Sequence, residues 1–225
     1  MKLLTAIAPR KTRRGFLKTG MQISAAGVLA TGSLSNAFAT STNGYEIIQT
    51  PIATRDASRV EVLEFFWFAC PHCYALEPAI SQWSQNRPEY VDFVREAPPL
   101  NRSWEQQSRA FYAAEALGVI DGFLDPMFNA IHKERQPMRD PGKIAKLAEK
   151  LDLGVSAEAF RTAMQSADVE VSMQRSVQLA MSAGITGVPS IIINGKYRTG
   201  GALAGSNERI VEIINSIIAD EHAAS

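Results

Sequence analysis

The 225-residue chain is predicted to be an α/β protein whose sheet is interrupted by a long helical block. Three observations carry that prediction. The nearly continuous apolar run Val62-Leu63-Glu64-Phe65-Phe66-Trp67-Phe68-Ala69 has the length of a central strand covered on both faces. It runs straight into the start of a helix at Cys70-Pro71-His72-Cys73. From about Ser103 to Gly184 the pattern is helical, and strand patterns return only on either side of an Asn194-Gly195 hairpin turn. The element order is β-β-α-β, a helical block, then β-β-α.

Residues 1–39 stand apart from the rest. They hold six basic residues, no acidic ones, and a weakly apolar run ending at Ala37-Phe38-Ala39. Basic region, apolar region and A-x-A end make a secretory signal, with cleavage expected before Thr40. Arg13-Arg14-Gly15-Phe16-Leu17-Lys18 is similar to the twin-arginine export motif; an ordinary general-secretion signal is the alternative. Either route leaves the cytosol. The remaining 186 residues keep all 23 acidic side chains against 17 basic ones, a net charge of −6, which argues against a nucleic-acid partner. They contain no apolar run of membrane-spanning length.

The expected elements follow in order. Residues 40–58 read as a ragged entry with a short edge strand at Tyr45–Gln49. The central strand starts near Val60, and alternation puts Val60, Val62, Glu64, Phe66 and Phe68 on one face. Glu64 is the one acid in that row: either a partly exposed carboxylate at the strand end, or a buried acid that relays a proton beneath the cysteines. Leu76, Ile80 and Trp83 stripe the following helix, which Pro78 should kink. Val91–Arg95 alternates as the next strand. The helical block has five members. Trp104, Phe111, Ala114 and Leu117 mark the first, and Phe123 to His132 the second. Asp140-Pro141 starts a third, Ser156 caps a fourth, and Met173, Val177, Ala180 and Met181 stripe the fifth. These methionines and aromatics read as core, and His132 with Lys133-Glu134-Arg135 as a solvated helix end. A final helix turns Ile210, Ile213, Ile214 and Ile217 inward.

The chemistry is expected at Cys70 and Cys73, the chain's two cysteines. Cys70 falls where the helix begins, and Pro71 suits the first helical position, which needs no N–H donor. The free N–H groups and positive dipole end of the helix therefore favour a thiolate at Cys70. A protonated His72 would add positive charge beside it. Cys73, one turn on, is near enough to close a small disulfide. A structural zinc site needs four ligands, and beyond this stretch the chain offers only His132 and His222. A purely structural bridge over two intervening residues removes little chain entropy. The spacing therefore favours a redox pair, with no metal and no cofactor expected.

With these elements in view, the chain resembles the bacterial DsbA family. The resemblance rests on Val62 to Glu77 with its Cys-Pro-His-Cys turn, on the helical insertion, and on Thr186-Gly187-Val188-Pro189-Ser190 followed by Ile192-Ile193-Asn194-Gly195-Lys196-Tyr197. It covers the chain from about Tyr45 to the end. It implies a thioredoxin fold with an inserted helical domain: a first thioredoxin-like part at 40–102, the insertion at 103–184, and a second part at 185–225. Carried over, Cys70 is the exposed nucleophile, Cys73 the buried resolving thiol, and His72 the residue that stabilises the Cys70 thiolate. Pro189 is implied to follow a cis bond facing the cysteines, with Val188 and Pro71 contacting substrate. Glu64 matches the buried acid of the family, which often pairs it with a lysine on the next strand; here that strand offers Asp92 and Arg95. The resemblance further implies a periplasmic monomer that oxidises newly exported proteins and is itself reoxidised by a membrane quinone-linked partner of the DsbB type. A reductase or isomerase of the same fold, and a secreted peptide-binding chaperone, are the rival readings.

Overall fold

In the computed structural model, residues 43–224 are described; the export signal expected at 1–39 lies outside them. The sheet is assembled from β1 (Tyr45–Ile47), β2 (Val60–Phe65), β3 (Val91–Glu96), β4 (Ser190–Ile193) and β5 (Tyr197–Thr199), in the order β1-β5-β4-β2-β3. β2 pairs parallel with β3 and antiparallel with β4. All six residues of β2 are buried, Glu61 and Glu64 included.

On one face, Val62, Ile191 and Ile193 pack with Leu76 and Ile80 of α1 (Pro71–Gln85) and with Ile210, Ile213 and Ile214 of α8 (Asn207–Ala223). On the other face, Leu63, Phe65 and Ile192 meet Ala180 and Ala183, at the end of α6 (Ala167–Ser182). α1 runs through Pro78 as one continuous helix. The Asn194-Gly195 turn joins β4 to β5 with both residues at positive φ, 48° and 66°. Only glycine fits at 195, because a Cβ there would lie 2.0 Å from the Ile52 carbonyl oxygen.

The helical block follows β3. It comprises a 3₁₀ turn at Arg102–Trp104, α2 (Glu105–Ala116), α3 (Ile120–His132), α4 (Pro141–Lys150), α5 (Ala157–Met164) and α6. Asp140 caps α4 through Lys143 N at 2.8 Å, and Ser156 caps α5 through Ala159 N at 3.2 Å. Gly118 ends the α2 segment at φ +70°. α7 (Gly201–Ala204) is one further short turn between β5 and α8. Among the described residues, no helix is long and apolar enough to cross a membrane.

Two expectations are corrected by the packing. Phe66 and Phe68 leave the face of Val62, because β2 ends at Phe65 and the chain turns into the helical block. There they pack edge-on against Phe111 and Phe128. Met181 is 73% exposed rather than inside, since the core stripe of α6 runs through Val169, Met173, Ser176 and Ala180 instead. Block and sheet are also joined by polar contacts at the end of β3. The buried Glu96 accepts from Tyr112 Oη at 2.6 Å and from Arg55 Nη2 at 2.6 Å.

Candidate active site

Register places the site. β2 and β4 are antiparallel, with Phe65 opposite Ser190, so residues leaving β2 and residues entering β4 meet at the same end of the sheet. The first group is the turn Trp67–Cys70 and the second is Val188-Pro189. The Val188–Pro189 peptide bond is cis. The Cys70 thiol donates to the Val188 carbonyl oxygen at 3.4 Å.

Cys70 is the N-cap of α1, with extended backbone (φ −79°, ψ 118°), and Pro71 follows at the first helical position. Cys70 N donates to Trp67 O at 3.0 Å, closing the turn before the helix. Trp67 stacks flat on Trp104, centroids 4.5 Å apart and planes 8° apart, so the turn leans on the start of the helical block. Both cysteines are free thiols. Cys70 is more covered than the resemblance implies, at 7% exposure against 1% for Cys73, because the Val188 loop lies over it. His72 and Pro71 are exposed.

The two thiols are driven apart electrostatically. Cys70 is lowered from an ordinary 9.0 to about 6. The largest contribution is the hydrogen bond from the Cys73 thiol; burial opposes it, but the backbone N–H groups of Cys73 and His72 and the charge of His72 add to it, and together they outweigh burial. Burial pushes Cys73 the other way, far above the ordinary thiol value, and the Cys70 sulfur and the Glu64 carboxylate push it further up.

Glu64 is 1% exposed, so the strand-end carboxylate of the first alternative is excluded. Its partner is Arg95, directly opposite in the β2–β3 register. Arg95 Nε donates to Glu64 Oε2 at 2.9 Å, while Nη2 donates to Glu77 Oε1 at 2.8 Å and Oε2 at 3.1 Å. One guanidinium thus bridges two buried carboxylates. Glu77, which also accepts from Ser81, is raised to about 7, chiefly by burial and also by Glu64, against the lowering effect of Arg95. Asp92 takes no part; it binds Arg59 at 2.5 Å.

Sequence reasoning gave Glu77 and His132 no role. Glu77 lies seven residues after Cys70 on α1, two helical turns along the same face, a spacing that could have flagged it. His132 was expected in solvent. Instead its ring stacks on Tyr74, centroids 4.5 Å apart and planes 6° apart, and its Nε2 lies 2.7 Å from the Phe68 carbonyl oxygen.

Beside the cysteines runs a groove of about 680 Å³, lined by His72, Val188, Pro189, Gly200, Leu203 and Asn207 among others. Gly200 lets its far wall approach, since a Cβ there would lie 2.7 Å from Pro189 O.

A family model described as a DSBA-like thioredoxin domain matches residues 91–209. The thiol:disulfide interchange protein DsbA of Pseudomonas aeruginosa is 35% identical over 182 residues, covering 80% of this chain and 85% of that one. The chain belongs to the DsbA family. The family member from Azotobacter vinelandii is 32% identical over 215 residues, covering 96% of this chain and 99% of its own. The crystal structure of Pseudomonas aeruginosa DsbA superposes with a TM-score of 0.75 at 35% identity, covering 80% of this chain and 93% of that one. With the family comes its fold, the thioredoxin fold with an inserted helical domain, and its activity, thiol:disulfide interchange.

Proposed function

We propose that the Cys70–Cys73 disulfide is the group this oxidoreductase donates, and that its substrates are reduced proteins arriving in the periplasm. A substrate thiolate attacks Cys70 Sγ; the Cys70–Cys73 bond breaks, and the electron pair leaves on Cys73, which takes up a proton. A second substrate thiolate then attacks the substrate sulfur of the mixed disulfide and expels Cys70 as a thiolate. The substrate gains a disulfide and the enzyme is left as the dithiol. The observation that carries this reading is the opposed tuning of the two thiols. A Cys70 thiolate held at about 6 is a good leaving group, and it makes the reduced enzyme the favoured product.

The remaining assignments rest on position. His72 adds positive charge beside Cys70. Val188, with its carbonyl on Cys70 Sγ, and Pro189 form the loop along which an extended substrate chain adds as a strand, and Pro71 is an exposed contact on the other side. Glu64, paired with Arg95, and Glu77 form the proton-accepting cluster beneath Cys73. Net charge −6 beyond the signal fits polypeptide rather than nucleic-acid partners. A DsbB-type quinone-linked membrane protein as reoxidant, and a monomeric enzyme, complete the reading.

Oxidation of reduced ribonuclease by the purified disulfide form, with and without Cys70→Ala, tests it. Disulfides appearing in step with loss of the enzyme's own, and none with the variant, are expected. Reduction of insulin without any oxidation of ribonuclease would instead identify a reductase. For export, Arg13→Lys with Arg14→Lys should leave precursor in the cytosol; processing at the normal rate would identify the general-secretion route.

A further inference from the structure

The helical block touches the redox turn through polar side chains at the end of α3. His132 is the last residue of α3. Its Nε2 lies 2.7 Å from the Phe68 carbonyl oxygen; a carbonyl has no proton to give, so Nε2 carries the hydrogen and donates. Phe68 is two residues before Cys70. The same imidazole lies flat on Tyr74, one residue after Cys73, and Tyr74 Oη donates to Asn129 Oδ1 at 3.3 Å, on the same turn of α3. The last turn of α3 therefore grips the redox segment on both sides of its cysteines. Between the two grips the backbone is tied by Cys70 N to Trp67 O and by Tyr74 N to Cys70 O, each at 3.0 Å.

We propose that His132 is a positioning residue for thiol exchange: its Nε2–H bond to Phe68 and its stack on Tyr74 hold Cys70 Sγ in line with the N-terminus of α1. The donors that favour the Cys70 thiolate are the N–H groups of His72 and Cys73 and the Cys73 thiol. All are short-range and directional, and hydrogen bonds weaken steeply once misaligned. A Phe68 carbonyl without its donor is free to rotate the Phe68–Ala69 peptide, and that rotation swings Cys70 relative to a helix whose first N–H groups are fixed. His132 acts through geometry; the charge that acts on the thiol is that of His72. The thioredoxin-like sheet supplies the cysteines, and the inserted block supplies the residue that aims them.

The inference takes from the preceding section only that Cys70 is the reactive thiol, and its test reads that thiol directly. His132→Leu keeps bulk and removes the donor, whereas His132→Gln keeps an N–H donor. The measurements are ultraviolet titration of the thiolate and the rate of iodoacetamide alkylation against pH, alongside thermal unfolding of both redox forms. In His132→Leu the Cys70 midpoint should rise by about half a unit or more, with alkylation at pH 6 slowed several-fold, and His132→Gln should restore most of both. Unchanged titration in His132→Leu, even with lowered thermal stability, would overturn the proposal, as would equal shifts in the two variants. Should His132→Leu not fold, heteronuclear NMR of the histidine ring in the native protein decides. A ring protonated at Nε2 whose resonances move on oxidation of the cysteines supports the proposal; a ring protonated at Nδ1 alone overturns it.

Discussion

At Cys70, a sulfur faces backbone N–H groups, the Cys73 thiol and the charge of His72; at Cys73, three residues on, an identical sulfur faces burial, a neighbouring sulfur and a carboxylate. The first is brought to about 6 and the second is driven far above its ordinary value. The difference arises from direction. The N-terminal end of a helix presents donors on one side only, and β2 carries Glu64 up from the other side. One thiol is thereby a stable anion, and the other can leave only by taking a proton.

Exchanging the roles of the two sulfurs tests that contrast with the largest expected effect. Cys70→Ala should abolish oxidation of reduced ribonuclease. Cys73→Ala should leave a Cys70 thiolate that attacks disulfides of exported proteins, releasing one substrate thiolate, but no second enzyme thiol to resolve the adduct, so non-reducing gels of periplasmic extract should show adduct ladders that dithiothreitol removes. Equal adducts from both variants would mean that the two thiols are chemically equivalent after all.

The field behind Cys73 is the next thing to disturb. Arg95 is the guanidinium between Glu64 and Glu77, and all three side chains are largely buried. Removing one partner from a buried ion pair costs about 3–5 kcal/mol, because the remaining charge is left uncompensated. Arg95→Met should cost that much in urea denaturation of the oxidised protein, where no thiolate contributes. Arg95→Lys should fall between, since a point charge cannot bridge two carboxylates as a planar fork does. A loss below about 1 kcal/mol in Arg95→Met would show that the carboxylates are solvated rather than held.

How much of this was readable beforehand divides along sequence distance. The Cys-Pro-His-Cys turn, the helix start at Pro71 and the Asn194-Gly195 hairpin are local, and local chemistry fixes them. The DsbA resemblance and the thioredoxin fold with its insertion were likewise legible, from motif order. Arg95 as the partner of Glu64 was half legible: the strand and the two candidate residues were visible, but the choice over Asp92 needed the register Glu64–Arg95. His132 was not legible. Nothing in Phe128–Arg135 distinguishes a solvated helix end from one docked on Tyr74, since the contact spans sixty-four residues to Phe68. Met181 failed for a related reason, since a helical stripe is fixed only to within the face that its neighbours leave open.

The smallest effect is the most direct reading of the Cys70 field. The folded thiol is held at about 6 against an ordinary 9.0. A depressed value in the folded protein contributes stability fully present above the unfolded value and lost as pH falls through the folded one. For the reduced form the contribution therefore grows between pH 6 and pH 9 and is about 1.4 kcal/mol at pH 7. Glu77 acts in the opposite sense: its raised value, about 7, contributes stability that is lost as pH rises through that value. Glu77 is present in both redox forms, so the gap between them isolates the thiolate, whereas either curve alone mixes the two groups. The bridge itself restrains only a four-residue loop, where entropy gains are smallest, and that restraint is independent of pH. Denaturation of both forms at pH 5, 7 and 8 should thus show the reduced form gaining on the oxidised one by about 1.4 kcal/mol from pH 5 to 7, and by about as much again to pH 8. His72→Ser should flatten that rise in part, because the charge of His72 is one of the lesser contributions at Cys70. A gap constant across this range would place the Cys70 thiol near its ordinary value and remove the contrast between the two cysteines.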